Sequence, residues 1–390
     1  MKIIFISTMN GYSWGGSEEL WFNTALFAKS EGHDVVAVVF KNEPIHSKFS
    51  TLSNAGIKVH FIDKEKAVMP NLIERGILKV LNKPLNIKYE NRFSFISLLN
   101  PSVVLLSQGA CTDITYYTDL KELFNTLCVP FIVINHYNKE NGKLNPVQID
   151  FLKNLFDKSR ANFFVSQRNK KVLERQLSYK VDRADIIRNP ISPDIKEGVK
   201  KVKSLSPSFA IVGRFEVADK GQDILLECIA SQPWKEREFS INLYGTGKDE
   251  TFLRDLIVFY KLQKKVFIKG YIDNKMEIWE NNDLLILPSI AEGFPITIVE
   301  AMLSGRPCLV TDVGDSSYLI NDNINGWIAK CSSVNELNES LERAWLQRDQ
   351  WEQMGKQAHE TAKEFTKYNA AQALYEKIIS VLKATTNNAI

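Results

Sequence analysis

Two carboxylates, Glu292 and Glu300, stand in the stretch PSIAEGFPITIVEAMLSGRP that runs from Pro288 to Pro307. An apolar run directly before it, Asp283 to Leu287, reads as a strand. Pro295 suits the first position of a following helix, where a missing N–H costs little, and Gly305 with Pro307 supplies the stop. On that reading Glu292 lies in the loop beyond the strand and Glu300 just over one turn into the helix, so the two reach one ligand from different sides. Phe294 has no side chain that could cap, which leaves the N–H groups of Ile296, Thr297 and Ile298 open to an oxygen-rich ligand. A plain strand-to-helix connection with two solvated glutamates is the competing reading.

A second set of residues offers the complementary charge. Gly213-Arg214, followed by Lys220-Gly221, opens a segment just beyond an apolar run, Phe209 to Val212. An arginine that grips two oxygens and a lysine that adds a point charge suit a diphosphate. Gly15 and Gly16 place small residues in an N-terminal loop, where a backbone could approach the same phosphates. Taken singly, these features are as readily an ordinary basic loop and a turn.

Parallel α/β units must position both sets. Lys2 to Ser7 is an apolar strand, and a glycine-containing loop leads to Ser17, read as the N-cap of a helix that Gly32 ends after about Ser30. Further strands are predicted at Val35 to Phe40, Lys58 to Ile62, Val103 to Leu106, Phe131 to Asn135 and Asn162 to Ser166. The segment Ile186 to Ser208, with three prolines and a lysine cluster, reads as a linker. The pattern then restarts, with strands at Ser240 to Tyr244, Val266 to Lys269 and Cys308 to Thr311. Helices are read at Gln222 to Ala230, Lys275 to Glu280, Val334 to Gln347 and, in pieces, Trp351 to Leu382. The fold class is α/β: two Rossmann-like, doubly wound domains facing each other across a cleft, with ligands beyond the carboxyl ends of the strands. The boundaries read as 1–190, a linker at 191–206, a second domain at 207–367, and a terminal segment, 368–390, that returns to the first domain.

Composition narrows the class. At 390 residues, 44% hydrophobic and 24% charged, the chain suits two globular domains and is not disordered. The five cysteines have no zinc-ligand spacing and are odd in number, so neither a structural metal nor a disulfide framework is read, and a reducing, cytoplasmic setting is expected. No apolar run approaches the roughly 18 residues of a membrane span. Through Pro190 there are 25 Lys and Arg against 18 Asp and Glu, so the first half is the basic one. Its segment Arg75, Lys79, Lys83, Lys88 and Arg92, interleaved with leucines and aromatics, matches a helix lying weakly on an anionic membrane surface; Pro84 and a merely solvated helix face argue the other way.

The motifs GGSE (15–18), EGHDVV (31–36), NH (135–136), RNPI (188–191), GRF…KG (213–221), YGTG (244–247) and EGFPITIVEAMLSGRP (292–307) resemble, in that order, the retaining glycosyltransferases of family four, which have the GT-B fold. The resemblance implies a donor that is a nucleotide-diphosphate sugar, UDP- or GDP-linked, and as acceptor a hydroxyl of a glycan or lipid-linked molecule in surface polysaccharide biosynthesis. Nucleic acid is not an implied partner. Glu292 would contact the donor sugar and stabilise positive charge at its anomeric carbon, and Glu300 would hold the ribose hydroxyls. Arg214 and Lys220 would bind the departing diphosphate, a role that a metal ion fills elsewhere, so no metal is expected. The main chain of Gly293, Phe294, Ile296 and Thr297 would meet the donor, with Gly15 and Gly16 opposite, and His136, on a loop after its strand, would reach the transferred sugar.

The chain also departs from that pattern. Gly314-Asp315-Ser316-Ser317-Tyr318 stands where relatives carry a glycine pair and a glutamate, and Pro295 replaces a common glycine. Asn100-Pro-Ser-Val-Val and Ser107-Gln108 alter a region that tends to face the acceptor. A GT-B epimerase or phosphorylase and a non-catalytic nucleotide-sugar-binding subunit remain open readings: the first yields a product without an acceptor, and the second binds donor without turnover. For the basic segment, flotation with anionic liposomes is expected to give binding that high salt abolishes; protein staying at the bottom of the gradient at low salt would refute it.

Overall fold

The computed structural model describes residues 1–63, 67–68, 88–89, 91–191 and 206–387. The first domain holds β1 (Lys2–Ser7), β2 (Asp34–Phe40), β3 (Lys58–Ile62), a short antiparallel pair β4 (Ala67–Val68) and β5 (Lys88–Tyr89), then β6 (Val103–Ala110), β7 (Phe131–Tyr137), β8 (Ala161–Phe164) and β9 (Ala184–Ile186). The second holds β10 (Ser208–Val212), β11 (Ser240–Tyr244), β12 (Val266–Gly270), β13 (Leu284–Leu287), β14 (Cys308–Thr311) and β15 (Gly326–Ala329). The orders are β3-β2-β1-β6-β7-β8-β9 and β12-β11-β10-β13-β14-β15. Every neighbouring pair in both sheets is parallel.

Strands buried on both faces explain the apolar runs. Along β1, Ile4 and Ile6 enter one core while Ile3 and Phe5 enter the core on the opposite face. In β13, Leu284 and Ile286 are likewise separated from Leu285 and Leu287. The strand order reverses between β1 and β6 and again between β10 and β13. Crossovers leave in opposite directions there, opening a crevice at the carboxyl ends.

The last helix, Ala370–Asn387, lies on the first domain. Ala370, Leu374 and Ile378 join the core beside the helix Gly16–Ser30, and the Tyr375 hydroxyl sits 2.9 Å from His33 Nε2. Among the described residues no helix is long and apolar enough to cross a membrane.

Several local expectations are corrected. The first helix starts at Gly16 with Gly15 as its N-cap, so Ser17 is already helical. Pro295 is the N-cap of Ile296–Leu303 rather than its first residue, and the Ile298 N–H is taken by the Pro295 carbonyl at 3.0 Å. His136 lies within β7, which runs two residues beyond the predicted end. Between Gly213 and Gly221, Val217–Lys220 forms a helical turn. Strands β9 and β15 had no prediction. All of the expected linker 191–206 but its two end residues, and most of the basic segment 75–92, fall outside the described residues. Arg92, its last member, turns inward: its guanidinium makes bonds of 2.7 and 3.1 Å to the buried Asp119, which removes it from any membrane-facing surface.

One buried carboxyl in the first helix titrates with the fold. Glu18 accepts from Ser7 Oγ and Trp21 Nε1, both at 2.9 Å, yet its burial pushes its pKa up to about 7. The folded state therefore holds its proton where the unfolded chain has lost it, and stability falls as pH rises from the ordinary carboxyl range through about 7. Glu18→Gln keeps both contacts without the charge, its Oε1 accepting from Trp21 Nε1 and its amide N–H donating to Ser7 Oγ. Relative to wild type it should gain up to about 3 kcal/mol between pH 5 and pH 8 in denaturant titrations; parallel pH profiles of the two proteins would refute this.

Candidate functional site

The second domain's switch point brings the basic pair and the glutamate loop together. Gly213-Arg214 leaves β10, and the loop 288–295 leaves its neighbour β13. Lys220 closes the turn Val217–Lys220, and Gly221 follows at φ +61°, where a Cβ would lie 2.2 Å from the Pro288 carbonyl oxygen. Only glycine fits both the conformation and the space. That close approach sets Lys220 Nζ 2.6 Å from Glu292 Oε1. Ser289 Oγ donates to the same oxygen at 2.7 Å, and Thr311 Oγ1 holds the Ser289 carbonyl at 2.5 Å. The pair is largely enclosed, with side-chain exposures of 17% and 10%.

Arg214 is more open and is positioned partly by the other domain. Its guanidinium lies 4.6 Å from the centre of the Tyr12 ring, and the Tyr12 hydroxyl donates to Glu216 at 2.9 Å. Lys248 pairs with Glu216 as well, at 2.8 Å. Glu300 is buried in the helix Ile296–Leu303 and paired with Lys275; burial raises its pKa, and the Lys275 ammonium opposes the rise.

His136 faces the second domain with its main chain. Its Nδ1 lies 2.9 Å from Asn189 Oδ1, which only accepts, so Nδ1 carries the hydrogen and Nε2 accepts from the Ser107 hydroxyl at 3.0 Å. Burial pushes its pKa down to about 4, against the Asn189 hydrogen bond, and the ring is neutral. Both ring nitrogens are engaged inside the first domain. Its carbonyl oxygen instead meets Gly293, where a Cβ would approach to 2.0 Å.

The remaining predicted residues divide. Phe294 is buried in the second-domain core, so only its main chain is available to a ligand. Ile296 packs partly on that core, and its Cδ1 would lie 3.4 Å from a Cβ on Gly16, which brings the glycine loop to the helix start. Thr297, in the first turn, is half-buried. Gly15 has extended backbone, and a Cβ there would meet the flexible end of Met9. Tyr12, Ser289 and Lys275 were missed. Tyr12 and Lys275 act on predicted residues from distant parts of the chain, and Ser289 acts on Glu292 from within the same stretch, three residues before it. Among the described residues no three His, Cys, Asp or Glu side chains converge as a metal site.

At Gly293 the second-domain main chain lies so near the His136 carbonyl of the first domain that a Cβ has no room. Gly293→Ala should wedge the domains apart while each core stays intact. If the site acts with both domains in place, activity should fall on the order of 100-fold with little change in thermal stability; near wild-type activity would show that the close approach is dispensable.

Residues 195–361 match the family model described as glycosyl transferases group 1. A poly(ribitol-phosphate) alpha-N-acetylglucosaminyltransferase of Staphylococcus aureus is 29% identical over 34% of this chain and 27% of its own length. An uncharacterised glycosyltransferase of Methanocaldococcus jannaschii is 28% identical over 63% of this chain and 66% of its own. The chain thus spans between about a quarter and two thirds of these relatives. Anabaena HepE, solved in complex with UDP, superposes with a TM-score of 0.71 over 98% of this chain and 100% of its own, at 16% identity. The second domain thus carries the match to glycosyl transferases group 1, and the chain as a whole has the GT-B fold.

Proposed function

We propose that the protein transfers a hexosyl group, with retention, from a UDP- or GDP-linked sugar to a hydroxyl of a glycan or lipid-linked acceptor in surface polysaccharide biosynthesis, working in the cytoplasm. The observation that carries this is the enclosed Lys220–Glu292 pair at a strand-order reversal, flanked by Arg214. A diphosphate entering the crevice meets two cations at one end and a carboxylate beside them. Lys220 and Arg214 take up the charge that develops on the departing diphosphate. Glu292, relieved of part of its ion pair, faces the sugar carbon that becomes electron-poor.

In the transfer, the bond from the anomeric carbon to the diphosphate oxygen breaks and a bond to the acceptor oxygen forms on the same face. The acceptor proton passes to the leaving diphosphate. The neutral His136 ring carries no charge to this step, so its part is to shape the first-domain wall. Glu300 takes the ribose hydroxyls, with Lys275 yielding part of its ion pair. HepE was solved with UDP, and the Staphylococcus aureus relative is named for transfer to a phosphate polymer; both are consistent with this donor and acceptor class.

The test is a panel of UDP- and GDP-sugars with release of nucleotide as the readout. Wild type should turn over at least one donor, and Glu292→Gln or Lys220→Ala should lower turnover by about 100-fold or more, the scale for loss of a charge-stabilising contact. Full turnover in both variants would sink the assignment.

A further inference from the structure

Asp219 occupies the position just before Lys220 and is almost fully buried. Its main-chain carbonyl accepts from the Ile290 N–H at 2.8 Å and the Ala291 N–H at 3.2 Å. Through these bonds the turn that ends in Lys220 is fastened to the loop that ends in Glu292. Its side chain points the other way, across the cleft, where Lys139 Nζ of the first domain lies 2.5 Å from Oδ1.

Tyr137 reaches the same place. It is the last residue of β7 and follows His136, whose carbonyl rests on Gly293. Its hydroxyl is enclosed and has no hydrogen-bond partner of good geometry among the described residues. Burial raises its pKa, the charges of Asp219 and Glu292 raise it further, and Arg214 opposes them, so it remains a proton donor at the meeting point of these groups. Three successive features of one first-domain segment therefore converge on the two second-domain loops: the His136 carbonyl, the Tyr137 hydroxyl and the Lys139 ammonium.

We propose that Asp219 is a positioning residue which, held by the Lys139 ammonium and neighboured by the Tyr137 hydroxyl from the opposite domain, sets the Lys220 and Glu292 loops in register for the chemical step when the domains are together. The proposal rests on the transfer reading above and adds a cross-cleft control to it. A carboxylate whose role was confined to its own domain would gain nothing from a lysine of the other. The Asp219 carboxylate and the Lys139 ammonium contribute an attraction that acts only across the closed cleft, while the Asp219 main chain passes its position directly to the residues before Glu292. The Lys220 ammonium is one residue away, so a shift of this turn moves the leaving-group contact with it.

The experiment compares Asp219→Asn, Lys139→Ala, Tyr137→Phe and the Asp219→Asn/Lys139→Ala double variant with wild type. The measurements are steady-state nucleotide release, donor affinity by calorimetry, and small-angle scattering of the unliganded proteins. Asp219→Asn and Lys139→Ala should each lower kcat about 10-fold or more, leave donor affinity within about twofold, and fail to multiply in the double variant, as residues acting through one contact do. Tyr137→Phe should lower kcat in the same sense. Both single charge variants should also increase the radius of gyration, a readout that does not depend on turnover. Unchanged kcat in Lys139→Ala, multiplying effects in the double variant, or a radius of gyration equal to wild type would overturn the proposal. A wild-type protein that turns over no nucleotide sugar counts against the transfer reading instead, and the scattering result then decides the cross-cleft contact alone. Lys139→Ala and Tyr137→Phe alter no core residue, so they carry the test should Asp219→Asn not fold.

Discussion

Burying Lys220 against Glu292 removes two charges from water, and such a pair persists only where the geometry is good and the remaining lone pairs are satisfied. Much of the surrounding structure meets that requirement. Ser289 supplies a second donor to Glu292 and is itself held by Thr311 at the end of β14. Gly221 lets the Lys220 turn press on Pro288, and the Asp219 carbonyl ties the turn to Ile290 and Ala291. Three strands, β10, β13 and β14, thus fix one ion pair. The alternation of their buried residues between two cores makes that platform rigid.

The other half of the site depends on how the two domains meet. Gly293 lies on the His136 carbonyl, and Arg214 stacks on Tyr12. Arg168, at the start of a first-domain helix, pairs with Glu140 of its own domain and reaches Asp312 of the other at 2.9 Å. Farther from the cleft, the Arg188 guanidinium lies within 5.8 Å of the ring centres of Phe294, Tyr318 and Phe365. These contacts mix charge with aromatic faces rather than burying a continuous apolar surface. Interfaces of that kind open and close more readily than cores do.

The elements were legible where physics is local. Lys58–Ile62, Ser240–Tyr244, Lys275–Glu280 and Cys308–Thr311 were read with their boundaries, because buried parallel strands and capped helices write themselves as runs and stops. The errors fall where a terminus is decided by partners. β7 extends through His136 because β6 continues beside it as far as Ala110, and Ser17 lost the cap because the chain turns at Gly15. Within the site, Glu292, Glu300, Arg214 and Lys220 stood out by type and spacing. Tyr12, Lys139, Tyr137 and Lys275 did not, since each acts on a residue distant in the chain, and a single sequence carries no sign of such pairings. β15, with the buried Trp327, was overlooked as a four-residue strand among polar turns.

Once these partners are counted, the cleft is not a basic pocket awaiting an anion. Lys220 is paired with Glu292, Lys275 with Glu300, Lys139 with Asp219, and Arg214 and Lys248 share Glu216. On the proposed transfer reading, an entering diphosphate would exchange partners with carboxylates already in place at each of these cations. Such an exchange costs binding energy, since each lysine gives up an existing contact, but it leaves the displaced carboxylates turned toward the ligand. On the same transfer reading, Glu292 and Glu300 would then face the hydroxyl-bearing parts of a sugar nucleotide, where a carboxylate is a good acceptor. An anion without such hydroxyls would break the same ion pairs and gain nothing for the carboxylates it strands. On the proposed transfer reading, discrimination between a nucleotide sugar and simple phosphate would therefore arise from the acidic residues of the cleft as much as from the basic ones.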